Sequence, residues 1–377
     1  MQTIPVMIPW LGEEEAAAAA EAVRSGWVAQ GPRVAEFERA FAEHLGVPHA
    51  VAVSSCTTAL HLAMVGAGVG PGDEVVVPSL SFIATANAVT YVGGTPVFAD
   101  VDAATGNLTP ETVAPLLTER TRAVVVVDQG GVPVDLDAIR ALVEPRGITV
   151  VEDAACAAGS TYRGRPAGAT AEIAAYSFHP RKLLTTGEGG MVTCQDGELA
   201  ARLRRLREHG MSVSAADRHA SAGGGASLVE TYDEIGFNHR MTDIQAAVGL
   251  VQLGKLPAMV ARRRELAARY RELLGDLASG LVAEPEHGTG NFQSCWLLLP
   301  EGAPERTEVL AGLAQRGVSA RRGIMAAHLE LPYKGSARVP LPATELLTER
   351  SLVLPLYHSL TEEQQDRVVR ALRESLG

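Results

Sequence analysis

The sequence predicts an α/β fold, a mostly parallel central sheet with helices on both faces plus a smaller C-terminal α/β domain. Three observations carry this expectation. Short apolar, β-prone runs alternate with stretches of helical periodicity from residue 50 to residue 178. Those strand runs are continuously apolar, as in strands covered on both faces. The 377 residues, 46% hydrophobic and only 5% aromatic, suffice for two domains with cores built mostly from Ala, Val and Leu.

Residues 1–10 read as an extended arm. Glu13–Ser25 is an Ala-rich helix with acids in its first turn, and it stops at Gly26. A loop through Trp27 and Gly31-Pro32 leads to a second helix, 34–45, ending at Gly46. Strands are expected at 50–53, 74–77, 96–100, 123–127 and 148–152, and helices at 57–65, 83–91, 110–117 and 136–143. Strands at 173–178 and 191–194 flank a connection that holds Lys182 and Gly187-Glu188-Gly189-Gly190. A basic-rich helix, 198–209, precedes the polar stretch 211–232, read as a mobile loop with a possible lid role. A buried helix at 242–253 and a long helix at 259–274 bridge to the second domain, which has a strand at 295–299 and a closing helix at 361–376. The expected division is a large domain, 1–255, and a small domain, 256–377.

Composition narrows the partners. A net charge of −11 argues against nucleic acid or an anionic membrane as a bulk partner. Cys56, Cys156, Cys194 and Cys295 lack CxxC spacing, so no metal site is expected and a reducing cytoplasm fits. The N-terminus has no signal-peptide pattern, and no stretch reads as a bilayer span. The expectation is a cytoplasmic protein.

Three stretches bear chemistry. Lys182 lies between Ser177-Phe178 and the glycine turn, where a partly buried amine of lowered pKa could form a Schiff base with an aldehyde cofactor. Asp153 follows a buried strand, and Ser55-Cys56-Thr57-Thr58 stand where a strand becomes a helix. Each has a simpler alternative: a surface lysine, a helix cap and ordinary Ser/Thr capping. Together they supply what pyridoxal 5'-phosphate needs. A carboxylate keeps the pyridine nitrogen protonated, an amine holds the aldehyde, and a helix N-terminus binds the phosphate. Ser79–Phe82, Ser55–Thr58 and Asp153 all fall at carboxyl ends of expected strands, where ligands of such sheets bind.

Further motifs share the order and spacing of one family. They are Gly26-Trp27 with Gly31-Pro32, Ser55 to Leu60, Pro78 to Phe82, Glu152-Asp153-Ala154-Ala155, Ser177 through Lys182 to Gly190, and Gly236 to Ala247. From Gly26 to the C-terminus the chain resembles the DegT/DnrJ/StrS sugar aminotransferases, of the aspartate aminotransferase-like fold type I. The resemblance implies that Lys182 is the Schiff-base lysine and proton shuttle and that Asp153 partners the pyridine nitrogen. It places Cys56, Thr57, Thr58 and Ser177 around the phosphate, Phe82 against the ring and Cys156 beside the ring hydroxyl. It also implies that Asn238 reaches the neighbouring subunit's cofactor, in a homodimer with shared sites. The implied reaction moves an amino group from glutamate or glutamine to a keto sugar, nucleotide-linked in the first reading. A keto-cyclitol or other non-nucleotide sugar, and a cofactor-binding regulator without turnover, are the alternatives. Lys182 argues against the family's dehydratases, which carry histidine there, and the chain has no spare length for a regulator's DNA-binding module. Three residues depart from the pattern: Cys56 for the usual Gly, Cys156 for Gln or His, and Asp128 for the His expected to meet substrate. Arg321, Arg322 and Lys334 are candidates for a diphosphate clamp.

Overall fold

The computed structural model describes residues 3–213 and 229–377. Its central sheet is built from β1 (His49–Val53), β2 (Glu74–Pro78), β3 (Thr95–Ala99), β4 (Thr121–Val127) and β5 (Thr149–Asp153). Two short strands, β6 (Thr161–Tyr162) and β7 (Arg165–Pro166), form a separate ribbon before β8 (Ile173–Ser177) and β9 (Gly190–Cys194) complete the sheet. The strand order is β1-β9-β8-β5-β4-β2-β3. Neighbours from β8 to β3 pair parallel, while β9 pairs antiparallel with both β8 and β1. The connection from β8 to β9 contains no helix, and β9 returns antiparallel. That connection carries Lys182.

The helices are α1 (Glu13–Ser25), α2 (Pro32–Leu45), α3 (Cys56–Gly66), α4 (Ala84–Tyr91), α5 (Pro110–Val113), α6 (Leu136–Val143) and α7 (Gly197–Leu206). Side chains alternate across the sheet. Val51 and Val53 join Leu60, Leu62 and Leu203 in one core, while Ala50 and Ala52 join Phe37 and Ile139 in the other. The few aromatics are concentrated: Phe37, Phe41, Tyr176 and Phe178 meet at centroid distances of 5.0 to 6.0 Å beneath the β8–β9 loop.

The expected helices at 242–253 and 259–274 are one helix, α8 (Asp243–Leu274), with Pro257 inside it. Proline removes one backbone bond and favours a break. Here packing against α1 and α2 carries the helix across the expected boundary at 255/256. This helix also corrects the membrane reading, since an 18-residue window in it reaches mean hydropathy 1.4, enough to span by length and composition. The helix packs against α1 and α2, and 39% of that window is buried.

The C-terminal part holds β10 (Gly288–Thr289), which pairs with β6, and an antiparallel sheet of β11 (Cys295–Leu298), β12 (Arg321–Arg322) and β13 (Ser351–Leu354). Helices α9 (Arg306–Gln315), α10 (Pro342–Arg350) and α11 (Glu362–Leu376) accompany it. The N-terminal arm joins this part: Ile4 is buried and bridges Val318 in parallel. Of the loop expected at 211–232, residues 214–228 lie outside the described residues, and its two ends meet where Met211 bridges Tyr232.

Candidate active site

β1 and β8, both antiparallel to β9, point the same way as β2 to β5. Val53, Asp153 and Ser177 therefore end their strands at one edge. Gly190 lies opposite both Val53 and Ser177, and a Cβ there would stand 2.5 Å from Ser55 O. Only glycine lets the α3 N-terminus approach this closely.

Backbone hydrogen bonds close the Lys182 loop. Phe178 N donates to Gly189 O at 2.9 Å and Thr186 N to Phe178 O at 3.0 Å. Gly187 adopts φ 84°, a left-handed conformation that suits glycine. Gln293, from the C-terminal part, accepts Leu183 N at 2.9 Å. This loop presents the half-buried Lys182, whose Nζ donates to Cys156 Sγ at 3.0 Å. Burial pulls the amine's pKa down, but Cys156, Cys56 and Asp153 oppose it and leave it raised. The expected lowering is thus reversed, because two sulfurs and a carboxylate surround the amine.

Asp153 closes β5 and is buried. Its Oδ2 accepts from Thr85 Oγ1 at 2.8 Å and its Oδ1 from Ala155 N at 3.2 Å. Burial raises its pKa against the pull of Thr85, Lys182 and Ala155. Burial and then Asp153 raise the Cys56 thiol well above the ordinary value. Cys56, Asp153, Cys156 and Lys182 lie within electrostatic reach of one another.

Ser55 caps α3, with its side chain accepting Thr58 N and the Thr58 side chain accepting Ser55 N. The Cys56 and Thr57 N–H groups begin the helix and have no acceptor within it. Their dipole-assisted positive end lies beside Ser177, across Gly190. Phe82 is 62% exposed on the loop after β2, three residues before Thr85. Thr85 escaped the sequence reading; its only local signal is the hydroxyl-rich start of α4.

Two expected residues stand apart. Asn238 is exposed on an extended segment bridged to Glu208, with no hydrogen bond to the Lys182 cluster among the described residues. Asp128 is fully buried, and its Oδ1 accepts Val134 N at 3.0 Å. Its side chain is buried, in keeping with its departure from the His of the family pattern. Of the three cations, Arg322 and Lys334 are exposed, while Arg321 is half-buried with a buried Nε that meets no acceptor among the described residues.

These residues fit pyridoxal phosphate. A helix N-terminus offers free donors to a phosphate, a buried carboxylate under desolvation strain offers itself to a pyridinium, and an amine stands between them. Solved relatives of the same fold carry the pyridoxal and pyridoxamine forms of this cofactor. Over 98% of its length the chain is 39% identical to the spore coat polysaccharide biosynthesis protein SpsC of Bacillus subtilis, covering 96% of that protein. The crystal structure of the aminotransferase TlmJ from Streptoalloteichus hindustanus superposes with a TM-score of 0.90 at 40% identity, covering 99% of this chain and 98% of that one. DesI, solved in the presence of its TDP-sugar product, gives a TM-score of 0.86 at 35% identity, covering 99% and 93%. The profile of the DegT/DnrJ/EryC1/StrS aminotransferase family matches residues 9–373, and the chain is a pyridoxal-phosphate-dependent aminotransferase of that family.

Proposed function

We propose that this enzyme moves an amino group from glutamate or glutamine to a nucleotide-linked keto sugar. The observation that carries the reading is the Lys182 amine, held 3.0 Å from Cys156 and within reach of Asp153. The bound cofactor supplies an electron sink. Lys182 holds its aldehyde carbon and then moves a proton between carbon atoms. Asp153, fixed by Thr85 and Ala155 N–H, keeps the ring nitrogen protonated. Cys56 and Thr57 N–H groups, with the Thr57, Thr58 and Ser177 hydroxyls, hold the phosphate, and Phe82 covers the ring. Cys156 faces the ring hydroxyl with a thiol, a weak donor.

The likeness to DesI supports a nucleotide-linked acceptor. So does Arg321, a half-buried guanidinium whose Nε has no internal acceptor. Asn238 serves a partner's site in a homodimer, a reading supported by its exposure away from its own chain's Lys182 cluster. The test is to convert the enzyme to its cofactor-amine state and add keto sugars, with and without a nucleotide, and keto-cyclitols. Return of the aldehyde-form absorbance with nucleotide sugars alone is the expected result. Return only with cyclitols would replace the acceptor.

A further inference from the structure

β4 and β5 run parallel, with Val126 opposite Glu152 and Val127 opposite Asp153. Alternation puts Glu152 on the face opposite Asp153, and Asp128, two residues beyond Val126, on Glu152's face. Both carboxyls are buried, at 0% and 3% exposure. Each gives one oxygen to a backbone donor: Asp128 Oδ1 to Val134 N at 3.0 Å, and Glu152 Oε1 to Gly168 N at 2.7 Å. The other oxygens, Asp128 Oδ2 and Glu152 Oε2, are buried and meet no donor among the described residues. The two carboxyls share one face and lie within electrostatic reach of each other. Ionised carboxylates only accept, so a hydrogen bond between them requires a proton.

We propose that Asp128 and Glu152 share one proton at neutral pH, and that this singly charged acid pair positions Asp153. The link is direct. Asp128 N donates to Asp153 O at 3.2 Å, and Glu152 precedes Asp153 in the chain. Two unshared charges here would repel across adjacent strands and pull apart the ends of β4 and β5, on which Asp153 stands.

The surroundings support one proton rather than none. Asp153, the last residue of β5, adds a second repulsion on Asp128. Tyr176 on β8 faces both acids, with its hydroxyl donating to Ala167 O at 2.7 Å. Arg140 on α6 is the cation acting on Glu152, and its Nε also faces Glu144 at 3.4 Å. Burial, then Glu152, pushes Asp128 well above the ordinary carboxyl range, and burial raises Glu152 as well. Above that range the folded protein keeps a proton that the unfolded chain has lost, so the pair's contribution to stability falls as pH rises.

The test uses the cofactor-loaded enzyme. Infrared spectra at neutral pH should show the carbonyl stretch of a buried protonated carboxylic acid, and Asp128→Asn and Glu152→Gln should each remove it. Asp128→Ala should slow conversion of the cofactor by glutamate about tenfold or more, and Asp128→Asn, which still donates to Glu152, should restore most of that loss. The same Asn variant should flatten the decline of thermal midpoint with rising pH. Persistence of the band in both amide variants overturns the shared proton. An Asn variant as slow as the Ala variant overturns the positioning role. The positioning role rests on the aminotransferase reading, but the band does not, so the two failures are distinguishable. Should Asp128→Ala not fold, the amide variants decide.

Discussion

Lys182 Nζ donates to Cys156 Sγ at 3.0 Å, tying the β8–β9 loop to the segment just past β5. The amine is therefore held at the Asp153 end of the sheet before any substrate arrives. Lys182→Ala should still bind pyridoxal phosphate through the α3 N-terminus and Asp153, but lose the borohydride-reducible linkage and all turnover. Reduction followed by peptide mapping checks this. A reducible linkage in the variant would place the reactive amine elsewhere.

Asp153 is buried with two internal donors, and burial raises its pKa against the pull of Thr85, Lys182 and Ala155. Asp153→Asn keeps the shape and removes the charge. The single-turnover absorbance change with glutamate should slow by about 10²- to 10³-fold, the typical cost of one lost electrostatic contact at a reacting centre. Thr85→Ala should slow the same step less, about tenfold, because a net hydrogen bond is weaker than the charge it orients. An Asn variant as fast as wild type would remove Asp153 from the ring nitrogen.

Asn238 lies exposed beside Glu208. Lys182→Ala and Asn238→Ala proteins, each impaired alone, should complement when their subunits exchange. Random pairing makes about half the dimers hybrid, each with one intact site of two, so recovery should approach about a quarter of wild-type activity. No recovery after exchange verified by mass would count against a shared site.

Arg321 is half-buried, and burial and then Arg181 hold its pKa below the ordinary value. A cation so strained welcomes an anion. Arg321→Leu should raise the half-saturating concentration of a nucleotide-linked acceptor by roughly 10- to 100-fold, whereas the exposed Arg322 and Lys334 should matter less than about threefold. Steady-state kinetics read this directly. An equal loss with an uncharged acceptor would show that Arg321 does not bind the diphosphate.

Glu74 opens β2, buried at 2% exposure, and joins Arg338 at 2.8 Å while also pairing with Arg120. The Arg338 hydrogen bond, working against burial, lowers its pKa to about 2. A lowered carboxyl pKa contributes stability above the unfolded value, near 4.5, that is lost as pH falls toward 2. Arg120 and Arg338 are partly solvated, so the contribution is about 1 to 2 kcal/mol. Glu74→Gln should lower the thermal midpoint at neutral pH and erase the gap from wild type near pH 2. A constant gap across that range would assign the loss to packing instead.

The strand–helix alternation and the Lys182 loop were legible in the residues because periodicity, glycine turns and capping are local. The cluster of Lys182, Asp153 and the α3 start was legible for the same reason: each closes or opens an element, and one parallel sheet brings those ends together. What joins distant segments was not. Thr85 holds Asp153 from 68 residues away, and Gln293 fixes the lysine loop from 110. Asp243 accepts Gly31 N at 2.8 Å and Val34 N at 3.0 Å, capping α2 from the first turn of α8. Proline at 257 predicts a break, yet α8 continues because α1 and α2 cover it. Asp128 reads in the sequence only as a departure at a strand end; its face is set by register with β5, which places it on the side of Glu152. By itself the sequence determined the elements and the chemistry at their ends. The direction each buried carboxyl points, and the protonation that follows, were decided only by tertiary packing, since burial and the nearest opposite or like charge are properties of neighbours far apart in the chain.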